Sequence, residues 1–225
     1  MTSAALVGAR AGTAPRHAFA DKLVMAATGT ILVAYLISHV LANLLAYAGP
    51  AYLNGYGRLL HATGPLLWVA RAGLLAAAAL HVRSAVRLAG LARVSRGAPY
   101  ARHARRTASY ATRTVRWGGA LLLVYLLVHV PMFTGGVLHP SFVAGDDFHN
   151  VVRGFRTPWI AALNLVAALA AGLHVFHGVR ATSATLGVPP RGVRIAHRTA
   201  LVIGLLIGLG FASLPLAVVA GLLGD

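Results

Sequence analysis

The sequence predicts an all-α integral membrane protein with five transmembrane helices. Hydrophobic residues make up 58% of the 225 positions and charged residues only 11%, a composition typical of membrane proteins. A helix needs about 20 apolar residues to cross the hydrocarbon core of a bilayer, and five stretches of the chain are long enough. Basic residues fall mainly between these stretches, as in proteins whose loops face anionic lipid.

The five spans form a single predicted transmembrane domain, 23–223, which follows a cytoplasmic N-terminal segment, 1–22. Ala46-Tyr47-Ala48 resembles a signal-peptide cleavage site. The apolar run before it is too long for a signal peptide, so we expect the first helix to be retained. The spans are predicted at about 23–48, 64–88, 115–137, 158–179 and 199–223.

The distribution of basic residues predicts the orientation. Sixteen of the twenty lysines and arginines lie before the first span or around the loops that follow the second and fourth spans. The positive-inside rule therefore places the N-terminus in the cytoplasm and Asp225 outside. Because the net charge of +16 is concentrated in these loops, we attribute it to contact with lipid or an acidic partner and exclude nucleic acid.

Each of the first four spans contains a histidine within its apolar sequence: His39, His81, His129 and His174. An ionisable side chain inside a membrane is costly and therefore indicates function. Neutral imidazole is a common axial ligand of haem iron. The chain has no cysteine, so it has neither thioether-linked haem nor a cysteine-ligated cluster. We predict two b-type haems, each held by two histidines, in a bundle of four helices with the fifth helix peripheral.

An internal repeat supplies the pairing. Tyr35-Leu-Ile-Ser-His39-Val matches Tyr125-Leu-Leu-Val-His129-Val at an offset of 90 residues, and the sequences that begin at His81 and His174 match at an offset of 93. This pattern indicates a duplicated two-helix unit. Distances to the basic loops, at 1.5 Å per helical residue, place one matched pair at the outer depth and the other at the inner depth. His39 is therefore paired with His129, and His81 with His174.

Other residues are candidates for supporting roles. The carbonyls one turn before the histidines are predicted to accept hydrogen bonds from the imidazoles. Small residues at 76–79, 118–119, 167–172 and 178 would let a macrocycle approach the helices. Candidates for binding the propionates of the inner haem are Arg83, Ser84, Arg87, His177 and Arg180.

Alternatives remain open at three places. His177 could replace His174 as a ligand, and all four histidines could instead be hydrogen-bonding links between helices. The outer-loop residues His139, Asp146, Asp147 and His149 could belong to a solvated loop or to a quinone or proton path. The arginine-rich loop after the second span could be a topology signal or a docking surface.

With these motifs in place, the chain resembles the five-helix dihaem cytochrome b that anchors succinate dehydrogenase and fumarate reductase (respiratory complex II, type B). The resemblance covers residues 16–190. It rests on the one-histidine-per-helix spacing and on the stretches Leu36-Ile-Ser-His39-Val-Leu-Ala-Asn43-Leu, Gly64-Pro-Leu-Leu-Trp68-Val-Ala-Arg71 and Gly172-Leu-His174-Val-Phe-His177-Gly178.

The resemblance implies a location in the bacterial cytoplasmic membrane and a complex with two partners: a flavoprotein with FAD and an iron–sulfur subunit with its clusters. Dicarboxylate chemistry would take place in the partners, so no catalytic residue is expected in this chain. A membrane quinone, with menaquinone expected, would be the substrate, and the complex could form a higher oligomer. Some family members use glutamates for proton transfer. This chain has no glutamate, which favours succinate oxidation.

Two other classes of protein are alternatives. Another dihaem quinone-linked cytochrome b could use the same histidine pairs, although the bc-type cytochromes place two histidines on one helix and no span here does so at their spacing. A haem-free membrane transporter with structural histidines would need no cofactor at all.

Overall fold

The computed structural model describes the backbone of residues 3–94 and 110–224, and within these ranges it is helical without a β-strand. Its seven α-helices are α1 (Ser3–Leu44), α2 (Pro50–Ala62), α3 (Pro65–Val94), α4 (Tyr110–Gly135), α5 (Asp147–Arg156), α6 (Pro158–Thr185) and α7 (Pro190–Val219). A short 3₁₀ helix, Leu45–Ala48, extends α1.

Five of these helices are long and apolar enough to cross a membrane, which confirms the predicted number of spans. The apolar segments are Ala18–Ala48, Pro65–Arg93, Val115–Gly135, Pro158–Thr185 and Gly192–Val219. The N-terminal segment predicted at 1–22 is not separate from the first span, since α1 begins at Ser3 and continues into it without a break. The cytoplasmic location of this end remains a prediction.

The short helices α2 and α5 were not predicted. Pro50 begins α2 directly after Gly49, whose φ of +103° turns the chain sharply. At the start of α5, the Asp146 side chain caps the helix by accepting a hydrogen bond from the backbone N–H of His149. The two helices pack together and form a cap at the end of the bundle where α1 finishes.

The fifth span, α7, is part of the helical bundle, whereas the sequence predicted a peripheral helix. Helix α7 packs against α6 over a larger contact than any other pair of described helices, and it also contacts α1. Gly172 of α6 lies so close to α7 that an added Cβ would stand 2.7 Å from the carbonyl oxygen of Gly204 and 3.0 Å from Cα of Gly208. Residues 204–208 form a GxxxG motif, which permits close contact between membrane helices.

The remaining helices pack as two repeated units. In the first unit α1 contacts α3, and in the second α4 contacts α6. Helix α1 also contacts α6, so that the two units share one bundle. Helices α3 and α4 expose most of their surface, including large apolar side chains such as Trp117, Leu127 and Val69, as expected for helices that face lipid.

Candidate histidine sites

The structure brings the four predicted histidines together in the two predicted pairs. The ring centroids of His39 on α1 and His129 on α4 are 6.4 Å apart, with an angle of 84° between the ring planes. The ring centroids of His81 on α3 and His174 on α6 are also 6.4 Å apart, with an angle of 71°. Each pair therefore takes one helix from each repeated unit.

This separation fits two imidazoles on opposite sides of one metal ion. A first-row metal binds an imidazole nitrogen at about 2.0 Å. Ring bonds of about 1.33 Å place that nitrogen about 1.1 Å from the ring centroid. Two imidazoles across one ion would therefore have centroids about 6.2 Å apart, close to the 6.4 Å of both pairs. Among the described residues, α1 with α4 and α3 with α6 are also not closely packed helix pairs.

Two glycines leave room for the inner histidines to pack against the neighbouring helix of the same unit. A Cβ added at Gly29 would lie 3.2 Å from Cε1 of His81, and one added at Gly119 would lie 3.1 Å from Cε1 of His174. Each glycine lies ten residues before the outer histidine of its own helix. At 1.5 Å per residue, the inner and outer pairs are therefore about 15 Å apart along the bundle.

The outer histidine His129 ends a chain of hydrogen bonds. Its Nδ1 lies 2.7 Å from the Tyr125 hydroxyl, which donates a 2.6 Å bond to Oδ1 of Asn164. Because the single proton of the hydroxyl points to Asn164, the bond to the imidazole is donated by Nδ1–H of His129. The lone pair of His129 is then on Nε2, the nitrogen available to a metal.

The inner histidine His81 is held in the same tautomer by a different residue. Its Nδ1 lies 3.2 Å from the hydroxyl oxygen of Thr28, and that hydroxyl donates its proton to the carbonyl of Val24 at 2.7 Å. The imidazole must therefore donate from Nδ1, which leaves Nε2 with the lone pair. The buried hydroxyl of Thr28 thus fixes the tautomer of His81, as the hydroxyl of Tyr125 fixes that of His129.

His174 lacks this partner because the repeat places a glycine at the matching position. At the offset of 90 residues, Gly118 corresponds to Thr28. The carbonyls of Met25 and Val115, also 90 residues apart, approach His81 and His174 respectively. Among the described residues, however, none forms a hydrogen bond of good geometry with the buried Nδ1 of His174.

His39 has a third kind of environment. Nδ2 of Asn43 donates to the carbonyl of His39 at 2.8 Å and lies 3.4 Å from its Nδ1. Tyr35 stacks on the imidazole with the ring planes only 14° apart, and Phe211 of α7 contacts it with a centroid distance of 5.4 Å. The sequence predicted that the carbonyl one turn earlier accepts a hydrogen bond from each imidazole. That prediction was wrong for His39, and also for His81 and His129, which are bonded to hydroxyls.

Of the two histidines on α6, His174 is the one that lies opposite His81. His177 is partly exposed and contacts the ring of Phe176, with 5.0 Å between the centroids. Among the propionate candidates, Arg87 already has a partner, since its Nε lies 3.3 Å from Oδ2 of Asp21. Arg180 lies over the ring of Phe176 at 5.4 Å. Ser84 is buried, and Arg83 is exposed.

The four candidate residues from the loop before α5 and from its first turn take part in a hydrogen-bonded cap. His139 is buried, with Nε2 2.8 Å from the carbonyl of Asn150, while its Nδ1 accepts from the N–H of Ser141 at 3.3 Å. His149 Nε2 lies 3.1 Å from the carbonyl of Ser141. These bonds give both histidines partners within the fold, and a role in a quinone or proton path stays a prediction.

The two acids of the cap are in opposite environments. The backbone N–H of His149 and the side-chain amide of Asn54 both donate to Asp146, and they lower the pKa of that carboxyl. Asp147 is half-buried against Gly57, and burial raises the pKa of its carboxyl. Asn54 also accepts from the N–H of Phe148 at 2.9 Å, so that it joins α2 to the start of α5 by two hydrogen bonds.

Several residues around the histidines were missed by the sequence analysis, although signals for two of them were present. A tyrosine precedes each outer histidine by four residues, which places both on one helix face. Asn164 is a polar side chain within the apolar sequence of a helix, and such residues usually mark a specific contact. The role of Thr28 depends on contact between helices, which no local pattern reveals.

Two further sequence predictions concern other parts of the chain. The central part of the arginine-rich loop, residues 95–109, lies outside the described residues, so its proposed docking surface has no structural account. The small residues at 167–172, expected to admit a macrocycle, include Gly172, which instead packs against α7.

No protein-family model matches the chain, and neither a curated protein nor a solved structure matches it.

Proposed function

We propose that the chain is the membrane-anchor cytochrome b subunit of a succinate:quinone oxidoreductase, with His39 and His129 as ligands of an outer haem b and His81 and His174 as ligands of an inner one. The observation that carries the proposal is the pair of matched histidine sites, each with 6.4 Å between ring centroids. When bound, the two haems would supply one-electron transfer between the two depths of the membrane.

The residues around the histidines suit this role. Thr28 and Tyr125 accept from Nδ1 of His81 and His129, so that Nε2 of each imidazole keeps its lone pair for a metal. Gly29 and Gly119 let the inner rings lie against a helix backbone. Four side chains near the inner end are proposed to bind the propionates of the inner haem: Arg83, Ser84, His177 and Arg180. The fifth candidate, Arg87, is paired with Asp21.

The partners are proposed from the resemblance and from the charge distribution. An iron–sulfur subunit and its FAD-containing flavoprotein would dock at the cytoplasmic, arginine-rich side, nearer the inner pair. A membrane quinone, expected to be menaquinone, would exchange electrons with this subunit within the bacterial cytoplasmic membrane. Succinate oxidation would take place in the flavoprotein.

The decisive experiment is an absorption and haem analysis of the purified complex. We expect two b-type haems per chain, and we expect each of the four single histidine-to-alanine variants to lose one of them. His177→Ala removes only a proposed propionate contact and should keep both haems, and His61→Ala on the exposed surface of α2 is the matched control. A wild-type chain without haem would contradict the proposal and favour a transporter with structural histidines.

The same preparation tests which cytochrome b this is. A tagged chain should copurify with a flavoprotein and an iron–sulfur subunit, and succinate should reduce its haem. Two haems without succinate-dependent reduction would instead favour another quinone-linked dihaem cytochrome.

A further inference from the structure

Asn164 is a buried polar side chain in the second turn of α6 whose orientation is fixed by two bonds. Its Nδ2 donates to the carbonyl of Ile160 at 2.9 Å, which turns Oδ1 towards Tyr125. With the opposite orientation of the amide, Oδ1 would face the Ile160 carbonyl and two acceptors would meet. The amide is therefore oriented by the backbone of its own helix.

That orientation determines the direction of every later bond in the chain. Oδ1 of Asn164 can only accept, so the Tyr125 hydroxyl donates to it. The hydroxyl oxygen then accepts from Nδ1–H of His129 at 2.7 Å. Asn164 on α6 thus determines, through Tyr125 on α4, the tautomer of His129, which lies opposite His39 on α1.

We propose that Asn164 and Tyr125 are positioning residues that lower the reduction potential of the outer haem by strengthening His129 as a ligand. This proposal rests on the function proposed above. An imidazole that donates a hydrogen bond from Nδ1 is a more basic ligand at Nε2. A more basic ligand stabilises the more highly charged ferric iron and therefore disfavours reduction.

The repeat supplies an internal comparison at the same site. Tyr35 occupies the position of Tyr125 in the first unit, but it stacks on His39 with 5.3 Å between ring centroids. Arg71 corresponds to Asn164 at the offset of 93 residues. Its guanidinium lies 4.9 Å from the ring centroid of Trp68. Among the described residues, the outer site therefore has this hydrogen-bonded chain on its His129 side and not on its His39 side.

The test is a redox titration of the assembled complex, with the two haems resolved by their absorption and electron paramagnetic resonance spectra. Tyr125→Phe and Asn164→Leu should each raise the potential of the outer haem and leave that of the inner haem unchanged. The double variant should show the same shift as Tyr125→Phe alone, because both changes break one chain of bonds. Tyr35→Phe is the matched control and should leave the outer potential at its wild-type value.

Two results would overturn the proposal: an outer potential in Tyr125→Phe that moves no more than in Tyr35→Phe, or additive shifts in the double variant. Asn164→Leu is made on α6, away from the ligand, so it tests the chain even if Tyr125→Phe fails to assemble. Wild-type protein with two haems but unshifted variants refutes only this inference. Wild-type protein without haem refutes the proposed function.

Discussion

At the scale of single residues, the inner histidine site depends on two positions that have no side chain as much as on the histidines themselves. His81 and His174 reach the backbone of a neighbouring helix because Gly29 and Gly119 have no side chain there. The two glycines occupy matched positions, each ten residues before an outer histidine, but their contact with histidines of another helix emerges only from the packed bundle. Gly118, directly before Gly119, has nothing within 4 Å of an added Cβ.

These adjacent glycines allow a matched prediction. Both Gly118→Ala and Gly119→Ala should gain up to about 1 kcal/mol from the better helix propensity of alanine. At Gly119, however, the new Cβ would stand 3.1 Å from Cε1 of His174 and displace the ring. We expect Gly119→Ala to reduce or spectrally alter the proposed inner haem, while Gly118→Ala leaves it unchanged. Identical haem content and spectra in the two variants would show that the glycine contact does not position His174.

At the scale of helices, long apolar elements were predictable and short polar ones were not. Five spans follow from length and hydrophobicity alone. Helix α2 contains two glycines and an asparagine, and its amphipathic pattern is too short to stand out. The place of α7 was also mispredicted, because the histidine repeat suggested that the fifth helix lies outside the bundle. Its GxxxG motif was the signal that indicated otherwise.

The close contact between α6 and α7 predicts a stability effect. In Gly172→Val the new side chain would overlap the backbone at Gly204 and Gly208 and force the helices apart. We expect a loss of about 1–3 kcal/mol, as for other overpacked cores. It should appear as a lower midpoint of thermal unfolding in detergent. Gly73→Val on α3 makes the same change where an added Cβ meets nothing within 4 Å. Equal midpoints for the two variants would argue against this interface.

At the scale of the whole molecule, the repeat determines which helices meet. The offsets of 90 and 93 residues predicted the histidine pairs from sequence, because matched positions of a duplicated unit lie at matched depths. The hydrogen bonds around the pairs could not be predicted in this way. The two units have diverged there, with Thr28 replaced by Gly118 and Asn43 by Phe133.

Orientation is the remaining prediction at this scale. The chain contains no cysteine, so single-cysteine variants can be made without altering any other position. By the positive-inside rule, Ser95→Cys should be labelled only by reagents that reach the cytoplasm, and Ser141→Cys should be labelled from outside in intact cells. The reverse pattern would invert the orientation and exchange the inner and outer sites.

Because each histidine pair takes one helix from each unit, the order of biosynthesis separates the two sites in time. The ribosome makes α1, α3 and α4 before α6, so the chain contains both His39 and His129 before it contains His174. His81 must wait for α6, and so must the hydrogen-bonded chain that ends at Asn164. Both ligands of the proposed outer site are therefore synthesised before Asn164, and α6, which contacts both α1 and α4, is needed to bring the two units into one bundle.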